Sequence, residues 1–121
     1  MIRYDYLLHE EQTLLETEAL INGNRILYKE GKDARQCVTF GDHEILLQRY
    51  ADVSSETILL PEKIGTSTIK SSYGDMVLRT RLMRYEKTPD AWMVEYQVLS
   101  GEEVVLYQRL TWILKTPNPL N

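Results

Sequence analysis

Gly65-Thr-Ser-Thr-Ile-Lys-Ser-Ser-Tyr-Gly-Asp-Met-Val-Leu-Arg-Thr-Arg-Leu82 is the stretch that decides the fold. It reads as two strands about a tight turn, with Gly74-Asp75 as a two-residue loop of the kind that needs positive φ at its first central position. On that reading Tyr73 faces Met76, Ser71 faces Leu78, Ile69 faces Thr80 and Ser67 faces Leu82. Ile69 and Tyr73 then share a face with Met76, Leu78 and Leu82. A slip of one residue would scatter them over both faces, so the pattern selects this register.

The same punctuation extends outward along the chain. Six glycines and four prolines all fall between apolar runs and divide the 121 residues into strand-length pieces. Strands are expected near 2–8, 13–21, 25–29, 34–40, 44–50, 56–60, 66–73, 76–86, 91–99 and 103–114. Residues 9–21 are rich in helix formers, and a helix is the alternative there. Glu11 and Glu18 spoil the helical stripe, whereas Leu15, Thr17, Ala19 and Ile21 alternate with Glu16, Glu18 and Leu20 as a strand would. Short hairpin loops give an antiparallel meander, and about eight to ten strands in one sheet must curl. Closure removes exposed edges. The expected fold is therefore all-β: a single antiparallel up-and-down barrel over residues 1–115, with an irregular tail at 116–121.

The core is expected at Ile69, Tyr73, Leu78, Leu82, Trp92, Val94, Tyr96, Leu106, Leu110 and Trp112. Three-residue loops at Thr88-Pro-Asp90 and Ser100-Gly-Glu102 place Leu82 opposite Tyr96, Val94 opposite Gln108 and Trp92 opposite Leu110. The other face then gathers Lys70, Arg79, Arg81, Glu95, Tyr107 and Arg109. In this register Lys70 lies across from Arg79, an unfavourable like-charge pair, and Arg81 and Arg109 flank Glu95 diagonally. These six are the candidate ligand-binding residues, receiving a carboxylate or phosphate. A solvated ion network centred on Glu95 accounts for the same residues without a ligand. The apolar faces should point inward, although a barrel with a polar lumen would invert that assignment.

Other chemistries find little purchase. A net charge of −4 disfavours non-specific nucleic-acid binding. Cys37 is the sole cysteine, so no intramolecular disulfide forms, and it reads as a small buried hydrophobe. His9 and His43 stand at no ligand spacing, so no metal site is expected. Asp42-His43-Glu44 offers a His between acids, but four polar residues from Gly41 onward read as a turn. No phosphate loop, dinucleotide fingerprint or nucleophile elbow is present in the sequence. No apolar run approaches a membrane span, the first residues do not read as a signal peptide, and a cytoplasmic location is expected.

Gly65-Thr-Ser-Thr-Ile-Lys-Ser-Ser-Tyr-Gly-Asp75, then Trp92-Met-Val-Glu-Tyr-Gln-Val98 and Leu110-Thr-Trp-Ile113, resemble the YwiB-like family of small bacterial proteins. Arg25-Ile-Leu-Tyr-Lys-Glu30 is the best-matching piece of the first half. Ser72 stands where that family often has Pro. The resemblance implies a lipocalin-like (calycin) barrel with a ligand lumen, and carries no catalytic residue.

The function expected from all this is non-catalytic binding of a small amphiphilic or anionic ligand, without a cofactor. A protein-interaction or assembly module with a filled barrel is the alternative, and homo-oligomers are compatible with either. Nucleic acid and membrane are not expected partners. An enclosed cavity would favour the carrier, and a filled interior with an apolar outer patch the module.

Overall fold

The computed structural model describes the backbone of residues 1–7 and 10–114, and the side chains of 1–5 and 15–114. The tail 116–121 and His9 lie outside the described residues. Eleven strands form one antiparallel sheet: β1 (Ile2–Leu7), β2 (Glu10–Glu16), β3 (Ala19–Asn22), β4 (Arg25–Glu30), β5 (Ala34–Phe40), β6 (Ile45–Tyr50), β7 (Ser54–Leu60), β8 (Lys63–Ser71), β9 (Gly74–Lys87), β10 (Ala91–Ser100) and β11 (Glu103–Ile113). From β3 to β11 each strand pairs with its successor; β11 then pairs with β1, and β1 with β2.

The two ends of that order, β2 and β3, are consecutive in the chain and separated only by Thr17 and Glu18. One bent stretch thus supplies both edges of the sheet curled as an up-and-down barrel, its first half on β1 and its second half on β4. The sequence reading placed a single strand at 13–21, and the break at 17–18 is why eleven segments appear instead of ten. Thr17 continues the β1 ladder: its N–H donates to Met1 O (3.0 Å) and its carbonyl accepts from Met1 N (2.9 Å). Beyond Met1 no described strand pairs with the outer edge of β3.

The organising hairpin forms, with a different turn. Ser72 and Tyr73 are the loop, and Ser71 faces Gly74, Ile69 faces Met76 and Ser67 faces Leu78. Ser71 Oγ accepts from Tyr73 N–H (3.2 Å) and donates to Gly74 O (3.1 Å), holding the turn two residues early. Gly74 then takes φ +124° as the residue that re-enters the strand. Ile69 moves from Thr80 to Met76, an even shift of four along β9, so every side chain keeps its face. Tyr73 itself is 99% exposed at the loop tip and is not part of the core.

The Gly-first loop occurs instead at Gly101-Glu102 (φ +64° at Gly101), between Ser100 and Glu103. The shorter loop and a bulge near Val98 and Leu99 each add one step, so the remaining pairs shift by two: Val94 meets Leu110 and Trp92 meets Trp112, in place of Gln108 and Leu110. Leu82 does face Tyr96. A second bulge, beside Glu95 and Tyr96, sets Glu95 opposite Arg84.

One half of the interior is apolar. Ile26, Val38, Phe40, Ile45, Leu59, Trp92, Val94, Leu110 and Trp112 pack as a single cluster, with the Phe40 and Trp92 rings 4.9 Å apart. Each such side chain contributes roughly 1.5–3 kcal/mol by leaving water. Leu78, Leu82 and Leu106 are half-buried against this cluster. Polar residues also face inward: Thr80 is fully buried, donating to Ile58 O (2.8 Å), and Thr57 and Ser67 share a hydrogen bond of 2.8 Å. Thr80 reaches Ile58 across β8 because Gly65 stands between them.

Candidate functional site

The six outer-face residues do not assemble as the sequence suggested. Lys70 faces Asp75, not Arg79, and Arg79 faces Thr66. The like-charge pair therefore does not exist; the early turn replaces it with an opposite-charge pair. Four residues separate Lys70 from Thr66, roughly 13 Å along the strand, so Lys70 stands apart. Arg81 lies across from Gln97 and donates to its Oε1 (3.3 Å). Glu95 lies directly, not diagonally, across from Arg109, with 3.9 Å between Oε2 and the guanidinium. Tyr107 pairs with Gln97 in the ladder. Arg79 and Arg81 are exposed, and Glu95, Tyr107 and Arg109 are half-buried. On this face Glu95 and Arg109 form an ion pair, while Arg81 bonds the neutral Gln97.

The arginine inside the barrel is a different one. Arg3, on β1, is opposite Trp112, and Asp5 is opposite Leu110, so both point into the interior. Arg3 is 6% and Asp5 8% exposed. The guanidinium meets both carboxylate oxygens of Asp5, Nη2 donating at 3.0 Å and Nε standing 2.9 Å from Oδ1. The Nε–Oδ1 approach is out of line for a hydrogen bond, and neither atom has another partner among the described residues. Arg3 Nη1 donates to Tyr28 Oη (3.0 Å) and lies 3.4 Å from Glu30 Oε2. Tyr28 Oη also accepts from Trp112 Nε1 (3.0 Å) and donates to Gln36 Oε1 (3.0 Å), while Gln36 Nε2 donates to Glu30. Arg49 reaches Glu30 at 3.7 Å.

Burial pushes the Asp5 carboxyl above its ordinary range, against the pull of Arg3. For Glu30, burial would act the same way, but Arg3, Gln36 and Arg49 outweigh it and hold the carboxyl below that range. The Tyr28 hydroxyl is pushed up by burial, so it remains a neutral donor. The network joins β1, β4, β5, β6 and β11 and meets the apolar cluster at Tyr28 and Trp112. Sequence reasoning missed it; the signal was Arg3 and Asp5 sharing one face of a strand that could lie only beside another strand.

An open cleft of about 1130 Å³ lies where β2 bends into β3. Its apolar lining includes Leu20, Ile21 and Leu27, 73%, 50% and 40% exposed, together with Met1 and Leu114. Lys29 and Arg35 also line it and lie directly opposite each other across β4 and β5. Neither makes an ion pair among the described residues. Glu16 and Glu18 contribute acid to the same cleft without pairing to either cation. A smaller groove of about 250 Å³ over β6, β7 and β8 holds Lys70 beside Glu56, Thr68 and Ser54.

Cys37 is buried, its Sγ 3.9 Å from Thr39 Oγ1. Asp42, His43 and Glu44 are exposed in a turn closed by Gly41 N–H donating to Glu44 O (2.8 Å). Among the described residues no helix is long and apolar enough to cross a membrane.

Fold and surface together define a small antiparallel up-and-down β-barrel with an open cleft where β2 bends into β3. Among solved structures the chain is similar to the ywiB protein from Bacillus subtilis, with a TM-score of 0.62 over 95% of this chain and 88% of that one, at 10% sequence identity. The resemblance read from the sequence thus holds at the level of fold. No protein-family model and no curated protein matches the chain.

Proposed function

We propose that the protein is a non-catalytic binding protein that takes a small anionic or amphiphilic molecule on its surface, not within the barrel. The observation that carries this reading is the cleft at the bend of β2 into β3, where large apolar side chains stand in solvent beside two cations that make no ion pair among the described residues. The Trp92–Trp112 cluster and the Arg3 network take up much of the inward faces, and the cleft meets the network at Tyr28 and Gln36, so the ligand is placed at the open side of the barrel. The outer-face cluster of Arg81, Glu95 and Arg109 is better explained as a surface ion network, contributing ~0–1 kcal/mol per pair.

A second reading, an interaction or assembly module, is favoured by the bare edge of β3 and by the exposed Tyr73, Val77, Val104 and Val105 at the hairpin ends. Unpaired apolar edges are templates for another chain. Native mass spectrometry of the purified protein separates the two. Retention of a small acidic molecule by the monomer is the expected result. A ligand-free oligomer would support the module and overturn the carrier.

A further inference from the structure

We infer that the cleft beside β3 is a binding site for a single-chain amphiphile with an anionic head, the head held by Lys29 and Arg35. This rests on the surface-binding reading and names both its site and its ligand class. The first observation is electrostatic. Two cations directly opposite each other on neighbouring strands repel, and in a chain of net charge −4 neither makes an ion pair with an acid among the described residues. A carboxylate or phosphate between them would remove the repulsion and accept charge-assisted hydrogen bonds from both.

The second observation is apolar and adjacent. Leu27 lies two residues before Lys29 on the same face of β4, and Leu20 is its direct partner on β3. Both are exposed in the same cleft, which continues to Ile21, Met1 and Leu114. Covering them would remove from water the kind of surface that proteins ordinarily bury.

The third observation explains why the cleft exists. In the β3–β4 hairpin the Asn22–Arg25 and Leu20–Leu27 pairs turn their backbone groups toward β4, so those of Ala19 and Ile21 turn to the other edge. Thr17 fills the equivalent edge position with Met1. Among the described residues no strand pairs with the outer edge of β3, and the cleft lies along that edge. An alkyl chain fits the apolar flanks, and its head fits the cations, which a neutral peptide strand would leave unsatisfied.

The test is titration of the full chain with decanoate and with decyl phosphate below their micelle concentrations, followed by calorimetry and by amide shifts at Leu20, Ile21 and Leu27. Saturable one-to-one binding is expected, weakened about tenfold or more in Lys29→Ala/Arg35→Ala and unchanged in Arg81→Ala. Decanol should bind more weakly than decanoate to the native chain, and equally to the double variant. Because Lys29 and Arg35 are exposed, circular dichroism should show both variants folded. Leu27→Ser, retaining both cations, should also weaken decanoate.

Loss of binding in Arg81→Ala alone would move the site to β9–β11, overturning this inference but not the surface-binding reading. Binding that appears only after deletion of residues 115–121 would assign the cleft to the chain's own C-terminal segment, and binding only of extended peptides would assign it to a strand partner. Either outcome overturns the inference. No binding by any amphiphile would overturn both the inference and the reading beneath it.

Discussion

Gly65 shows how one residue can be fixed by what passes over it. A Cβ there would fall inside the shell of the Ile58 carbonyl oxygen and 2.7 Å from Thr80 Oγ1, the two groups that hydrogen-bond across β8. Neither side can yield, because one is backbone and the other fully buried. Gly65→Ala is expected to cost about 1–3 kcal/mol, the usual range for overpacking. Denaturant unfolding measures it, and a loss below ~0.5 kcal/mol, typical of a surface site, would show that β7 and β9 are not so close. Glycine in this sequence marks turns almost everywhere else; at position 65 it marks a close approach that only the folded barrel reveals.

At the scale of elements, β10 and β11 share the buried apolar cluster with β4, β5, β6 and β7, and alternation in the sequence identified the inward faces of β10 and β11. Trp92, Val94, Tyr96, Leu110 and Trp112 are buried as expected. Residue-by-residue pairing was less legible, because a turn shifted by two or a bulge moves partners without changing faces. Leu110→Ala should therefore cost about 2–5 kcal/mol. Arg81→Ala, on the opposite face with only Gln97 to bond, should cost ~0.2–1 kcal/mol. Equal losses in equilibrium unfolding would mean that the two faces are not divided into core and solvent as described.

For the molecule as a whole, the Arg3 network bridges the barrel from β1 to β4 and so helps to hold the curl closed. Breaking a buried ion pair by removing one partner costs about 3–5 kcal/mol, whereas replacing both by apolar groups is often neutral. Arg3→Met and Asp5→Leu should each destabilise by about that amount. The double variant should lose much less than the sum, since Trp112, Gln36 and Arg49 still satisfy Tyr28 and Glu30. A double-mutant cycle in urea checks this, and additive losses would mean that the two side chains act independently.

Alternation, turn residues and segment length determined by themselves that this chain is all-β, antiparallel and long enough in strands to curl. They also determined which face of each late strand turns inward, since a period of two survives any even shift. Three further properties were decided by the tertiary structure. The first is register, set at Ser71 and Gly74 by hydrogen bonds and one positive φ. The second is the facing of β1: its own pattern offers Ile2, Tyr4 and Tyr6 as an apolar stripe. Pairing with β11 nevertheless places Arg3 and Asp5 beside Trp112 and Leu110, inside the barrel. The third is the candidate site. Leu20 and Leu27 look like ordinary strand residues in sequence. They come together in one cleft only because the curled sheet puts β2 and β3 at its two edges, and which strands stand at an edge is a property of the whole sheet and not of the strand.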